Sequence, residues 1–204
     1  MIISITGRSG SGKTTVVNNL ISIFGQDSIS YLHQDSYYKD QSHVPYEKRK
    51  FINFDHPASL DIDLFTNHLI KLSEGTIINK PIYDYKTHTR EKNTEEVRPL
   101  KIILIDGIHV FSTERLRKLS DIKVFLNVSK DICFIRRLLR DTKERERSME
   151  SVINQYIETV RPMQEKYISP MIRYADFIIE SGGKNIIEIE KLASAVRKIL
   201  KKSI

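Results

Sequence analysis

Short unbroken apolar runs alternate with stretches of helical spacing along this chain. Ile2–Thr6 is such a run and ends in a glycine-rich turn; Thr14–Phe24 then reads as a helix stopped by Gly25. Ile29–Leu32, Ile102–Ile105, Val124–Val128 and Phe177–Ile179 read as further strands. Between Ser59, taken as the cap, and Glu74, the residues Leu64, Phe65, Leu69 and Leu72 share one helical face. Asp61 and Asp63 lie in its first turn, and Gly75 stops it. Residues 76–98 are polar, with Pro81, Tyr83 and Tyr85 among β-forming residues, which predicts an irregular or hairpin insertion outside the core. A long helical span before Phe177 is broken at the charged stretch Arg140–Arg147, and Ile186–Leu200 is helical with a basic end.

This alternation predicts an α/β fold: five parallel strands with helices on both faces, a hairpin insertion and a helical lid. Ligands of such folds bind at the carboxyl ends of the strands. Every motif below then lies on one side of the molecule.

The 204 residues suit one compact domain with a modest lid, and 40% hydrophobic content suffices for a core. No apolar run is long enough to span a bilayer, and no secretory leader is legible at the N-terminus. The lone Cys133 sits in an apolar helical stretch and reads as core, not as a nucleophile. These features predict a cytoplasmic protein. The net charge of +7 fits nucleic acid, acidic lipid or phosphorylated small molecules without choosing among them.

Gly7-Arg-Ser9-Gly10-Ser11-Gly12-Lys13-Thr14 has the spacing G-x-x-x-x-G-K-[ST], with a strand before it and a helix after it. Its backbone N–H groups can surround phosphates at a helix N-terminus. Lys13 can reach the outer phosphates and the Thr14 hydroxyl can ligate Mg²⁺; Thr15 is a further candidate nucleotide contact. Asp106, at the end of a buried strand, supplies the acidic partner expected in a Mg²⁺ shell. The fold expected is therefore of the P-loop NTPase type.

A GTPase would need N-K-x-D after a strand, and Asn127-Val-Ser-Lys130-Asp131 has the wrong spacing. Arg136, Arg137, Arg140, Lys143, Arg145 and Arg147 stand against Asp141, Glu144 and Glu146 in one segment. No aromatic stacking platform is interleaved, which argues against nucleic acid. A lid over a transferring phosphoryl group accounts for the cluster better, and a small-molecule kinase better than a switch or motor.

Several blocks together resemble the uridine kinase (uridine–cytidine kinase) family of P-loop kinases. Besides Gly7–Thr14 they are Gln34-Asp35-Ser-Tyr-Tyr38, Asn53-Phe54-Asp55-His56-Pro57 and Pro81-Ile-Tyr83-Asp-Tyr85-Lys-Thr-His88-Thr-Arg90. Arg136-Arg137-Leu-Leu-Arg140-Asp141, Glu144–Arg147, Gln155-Tyr156 and Val160-Arg-Pro-Met163 continue the match to about Asp176. The resemblance implies one kinase domain over 1–204, with 76–98 as a nucleoside-base insertion and 136–147 as the lid. It implies ATP (or GTP) as phosphoryl donor, Mg²⁺, and transfer to the 5′-hydroxyl of uridine, with cytidine as second substrate. In that reading Asp35 takes or orients the hydroxyl proton, Lys13 and Arg140 act on the phosphates, and Arg145 holds the donor. Tyr38 flanks the hydroxyl, while Asp55, Arg137 and Gln155 clamp the ribose. Tyr83, Tyr85, His88, Phe54 and Arg147 surround the base. Homotetramers are implied as well, with neither nucleic acid nor membrane as a partner. The alternative within the fold is a kinase of a phosphorylated sugar or of pantothenate; outside it, a nucleotide-dependent RNA-binding regulator.

Three positions depart from the family's usual residues. Asp106 stands in place of glutamate, shortening reach by roughly 1.5 Å, so contact with Mg²⁺ through water is expected. Glu146 replaces a frequent glycine, and Tyr85 a frequent phenylalanine.

Overall fold

Five short strands carry the apolar runs, and every residue of the first, β1 (Ile2–Gly7), is buried. In the computed structural model, which describes residues 1–49 and 51–202, β1 leads into α1 (Lys13–Phe24) and then β2 (Ile29–His33). A four-residue α2 (Tyr46–Arg49) and then α3 (Ile62–Ser73) follow, with the antiparallel hairpin β3 (Ile78–Asp84) and β4 (Thr89–Val97) after them. Next come β5 (Ile102–Asp106), α4 (Glu114–Leu119), β6 (Ile122–Leu126) and α5 (Lys130–Lys143). α6 (Met149–Gln155) continues through π turns on either side of α7 (Arg161–Met163). β7 (Phe177–Ile179) and α8 (Ile186–Lys202) complete the chain.

The sheet order is β2-β5-β1-β6-β7, and every pairing is parallel. Residues β-branched on both faces of the pleat bury against helices on either side. One core packs Ile103, Ile105 and Phe125 with Phe65, Leu69 and Leu72 of α3; the other packs Ile5, Leu104 and Val124 with Val17, Leu20 and Leu192. Cys133 is buried, as expected. Among the described residues no helix is long and apolar enough to cross a membrane.

Three expectations need correction. Asp61, not Ser59, caps α3: Asp61 Oδ1 accepts from Leu64 N at 3.1 Å, whereas Ser59 Oγ donates to the carbonyls of Phe54 and His56. The strand placed at Val124–Val128 begins two residues earlier, because its pairing with β1 starts at Ile3 opposite Ile122 and ends at Gly7 opposite Leu126. The insertion forms the expected hairpin, but its base is not outside the core. Ile78 and Val97 pack into the α3 side of the sheet, where each contributes about 1.5–3 kcal/mol.

Candidate active site

The turn after β1 wraps an anion-sized cradle. Gly10 has φ 83°, and a Cβ there would lie 2.2 Å from the carbonyl oxygen of Cys133, so only glycine lets α5 approach the loop. Gly12 then starts α1, and Lys13 Nζ donates to the carbonyls of Gly7 and Arg8 at 3.1 and 3.2 Å. Burial lowers the Lys13 pKa, opposed by Asp106 and Asp35.

Asp106 closes this cradle from the end of β5. Its Oδ1 accepts from Tyr31 Oη at 2.7 Å and from His33 Nδ1 at 2.6 Å, while Oδ2 is buried without a partner. His33 Nε2 also lies 3.4 Å from Asp35 Oδ2. Burial disfavours a charged His33 ring, yet Asp35 and Asp106 outweigh it, and its pKa is pushed up to about 10. Burial likewise pushes the Asp35 carboxyl up, but His33, Lys13 and Arg145 overcome this and hold it below the ordinary carboxylate range.

Asp35 and Ser9, with Arg140 and Arg145, line both this cradle and an adjoining cleft of about 430 Å³. Gly10, Gly12, Lys13, Thr14 and Asp106 line only the cradle. The cleft is lined by Tyr38, Phe54, Asp55, Tyr83, Tyr85, His88, Arg137, Arg147 and Gln155. The hairpin supplies its aromatic wall and is moored by Arg90, whose guanidinium donates to the carbonyls of Tyr38 and Tyr37. His88, at φ 57°, stacks on Phe54 with centroids 4.6 Å apart and rings within 15° of parallel. Burial, then Arg147 and Arg145, lowers the His88 pKa, so the ring is neutral and offers one donor and one acceptor. Burial keeps Tyr38 protonated, and nearby Asp35 and Asp55 add to the effect.

Elsewhere in the same lining Asp55 Oδ1 faces Arg137 Nη1 at 3.6 Å, and Gln155 Oε1 accepts from Arg137 at 3.0 Å and from Arg147 at 2.6 Å. Gly7, Ser11 and Thr15 line neither space. Gly7 and Ser11 are buried against each other within the loop, and Thr15 abuts Gly183.

The model of the "Phosphoribulokinase / Uridine kinase family" matches residues 2–188. A protein named uridine kinase from Clostridium novyi is 46% identical over 200 residues, covering 98% of this chain and 96% of its own. One of the same name from a Geobacillus species is 48% identical, with 98% and 95% covered. The chain belongs to the phosphoribulokinase/uridine kinase family. Among solved structures, phosphoribulokinase from Rhodobacter spheroides shares the fold at a TM-score of 0.64 with 14% identity, covering 88% of this chain and 69% of that one. D-glycerate 3-kinase from Cryptococcus neoformans does so at 0.60 with 16% identity, covering 82% and 78%.

Two residues of this family member escaped the sequence reading. Asp141 stood in a charged segment and at the end of a matching block without a role of its own, but it is fully buried and gathers four arginines: Arg140 at 2.8 Å, Arg137 at 3.4 Å, Arg145 at 3.6 Å and Arg147 at 4.0 Å. Its i,i+4 spacing from Arg137 and to Arg145 was the available signal. His33 was passed over, just beyond the strand read at Ile29–Leu32, although it stands only two positions before Asp35.

Proposed function

We infer that this kinase transfers the γ-phosphoryl group of ATP to the 5′-hydroxyl of uridine, and of cytidine as second substrate. The observation that carries the reading is Asp35, which borders both the phosphate cradle and the aromatic cleft. A hydroxyl held there meets an ionised carboxylate on one side and the outer phosphate on the other. Asp35 accepts the hydroxyl proton as the oxygen bonds to phosphorus and the bond to ADP breaks, a contribution on the order of 10²–10⁴-fold. Lys13, Arg140 and Arg145 neutralise the charge on the phosphoryl oxygens. Asp141 keeps the last two aimed, so we assign it a positioning role within the lid 136–147.

Tyr38 flanks the hydroxyl, and Asp55, Arg137 and Gln155 hold the ribose. The base lies among Phe54, Tyr83, Tyr85 and Arg147 in the insertion 76–98 and its surroundings, where neutral His88 can meet O4 of uracil or N4 of cytosine by changing tautomer. Mg²⁺ fits this reading. The unpartnered Asp106 Oδ2 and the Thr14 hydroxyl would hold it, and no cluster of three or more acidic, His or Cys groups among the described residues binds a metal unaided. Bound there, the ion would supply positive charge against the donor phosphates. A cytoplasmic homotetramer completes the reading.

Coupled ATP turnover with uridine, cytidine, adenosine, ribulose 5-phosphate and pantothenate tests it. Turnover confined to the two pyrimidine nucleosides is expected. Turnover with the sugar phosphate or pantothenate instead overturns the nucleoside assignment, and salt-sensitive RNA binding without nucleoside-dependent turnover overturns the enzyme reading.

A further inference from the structure

His109 lines neither space of the site, yet it ties together the segments that carry two of the cleft's carboxylates, Asp35 and Asp55. It is fully buried, in the turn three residues beyond Asp106. Its backbone N–H donates to Gln34 Oε1 at 2.9 Å, and Gln34 is itself fully buried and immediately precedes Asp35. Gly107 lets this happen: a Cβ there would come within 2.4 Å of the Gln34 side chain. At the other end, His109 Nε2 lies 2.9 Å from the carbonyl oxygen of Asp55. A carbonyl only accepts, so Nε2 carries the proton, and Nδ1 is left buried without a partner.

Besides that bond, the segment around Asp55 is held by its own turn, by Arg137 facing the Asp55 carboxylate and by the next residue, His56. Asp55 N–H donates to Asn53 Oδ1 at 3.2 Å. His56 Nδ1 accepts from Ala58 N–H, so its Nε2 donates to Tyr167 Oη at 3.1 Å. The bond from His109 joins this loop to the end of the sheet that carries Asp35 and Asp106.

We propose that His109 is a positioning residue that sets the Asp55 carboxylate against the sheet through the chain Gln34–His109–Asp55, and so fixes the depth at which the ribose sits. The proposal rests on the reading of Asp55 as a ribose contact. Burial lowers the His109 pKa, in keeping with a neutral ring that donates from Nε2. Because His109 touches no substrate, removing its donor loosens sugar recognition and leaves the phosphate cradle intact.

The test compares H109M, similar in length but without a donor, with H109Q, which restores one. The readout is the kcat/KM preference for uridine over 2′-deoxyuridine, measured beside the KM for ATP. H109M is expected to lower that preference about tenfold through the uridine KM, with the ATP KM unchanged, and H109Q to keep it within about twofold of wild type. An unchanged preference in H109M, or parallel loss in the KM for ATP, overturns the proposal. A wild-type enzyme that accepts both nucleosides equally overturns the ribose reading itself, and this inference with it. Should H109M fail to fold, Q34M removes the acceptor at the other end of the chain. It is expected to lower the preference in the same direction, and no change there overturns the proposal.

Discussion

Asp35 and His33 are two residues apart, and each alters what the other can do. Burial alone would favour neutral forms of both; together they retain opposite charges, and Asp35 stays ionised where a proton acceptor is needed. D35N keeps the shape of the side chain and removes the negative charge. It is expected to lower kcat by about 10²–10⁴-fold with the uridine KM nearly kept, as steady-state kinetics measures. An unchanged kcat removes Asp35 from the mechanism. His33 supplies a test through stability. A pKa raised from 6.5 to about 10 means that its contribution is complete below the lower value and is lost as pH rises through the upper. The gap in thermal midpoint between wild type and H33Q is therefore expected to be widest near pH 6 and to shrink toward pH 10. A gap that widens with pH contradicts the assignment.

The lid shows what one element can and cannot reveal before its contacts are known. Its arginines and a break somewhere in Arg140–Arg147 were legible as charge and spacing in the sequence; the structure puts the break after Lys143. The role of Asp141 was not, since a carboxylate amid arginines looks the same whether solvated or buried. Glu146, expected as a departure from glycine, has φ 55°, in the left-handed region that costs a side chain about 1 kcal/mol. Its ion pair with Lys86 is exposed and offsets little of that. E146G is therefore expected to stabilise the protein by roughly 0.5–1 kcal/mol, read as a rise in the urea midpoint at constant slope. A fall would mean that the pair outweighs the strain. In the same way, the caps and strand ends that were misplaced depend on partners elsewhere. The Ser59 hydroxyl is committed to the carbonyls of Phe54 and His56, and the bounds of β6 follow from its register with β1.

At the scale of the molecule, the parallel sheet brings segments distant in sequence to one mouth. Strand alternation and the glycine-rich turn made that architecture readable, and the blocks from Gln34 to Gln155 named the side chains that meet there. His33–Asp106 and His109–Asp55 could not be read in the same way. They join residues 73 and 54 positions apart, and neither contact leaves a local pattern. The adjoining spaces, one basic and glycine-lined, the other aromatic, meet only at a shared border that includes Asp35. Phosphorus-31 NMR of the product formed from ATP and uridine examines that border directly. Uridine 5′-monophosphate as the sole new phosphomonoester is predicted, with none formed from 5′-deoxyuridine. Phosphorylation at the 2′ or 3′ position, or ATP consumption without a nucleotide product, would contradict the account.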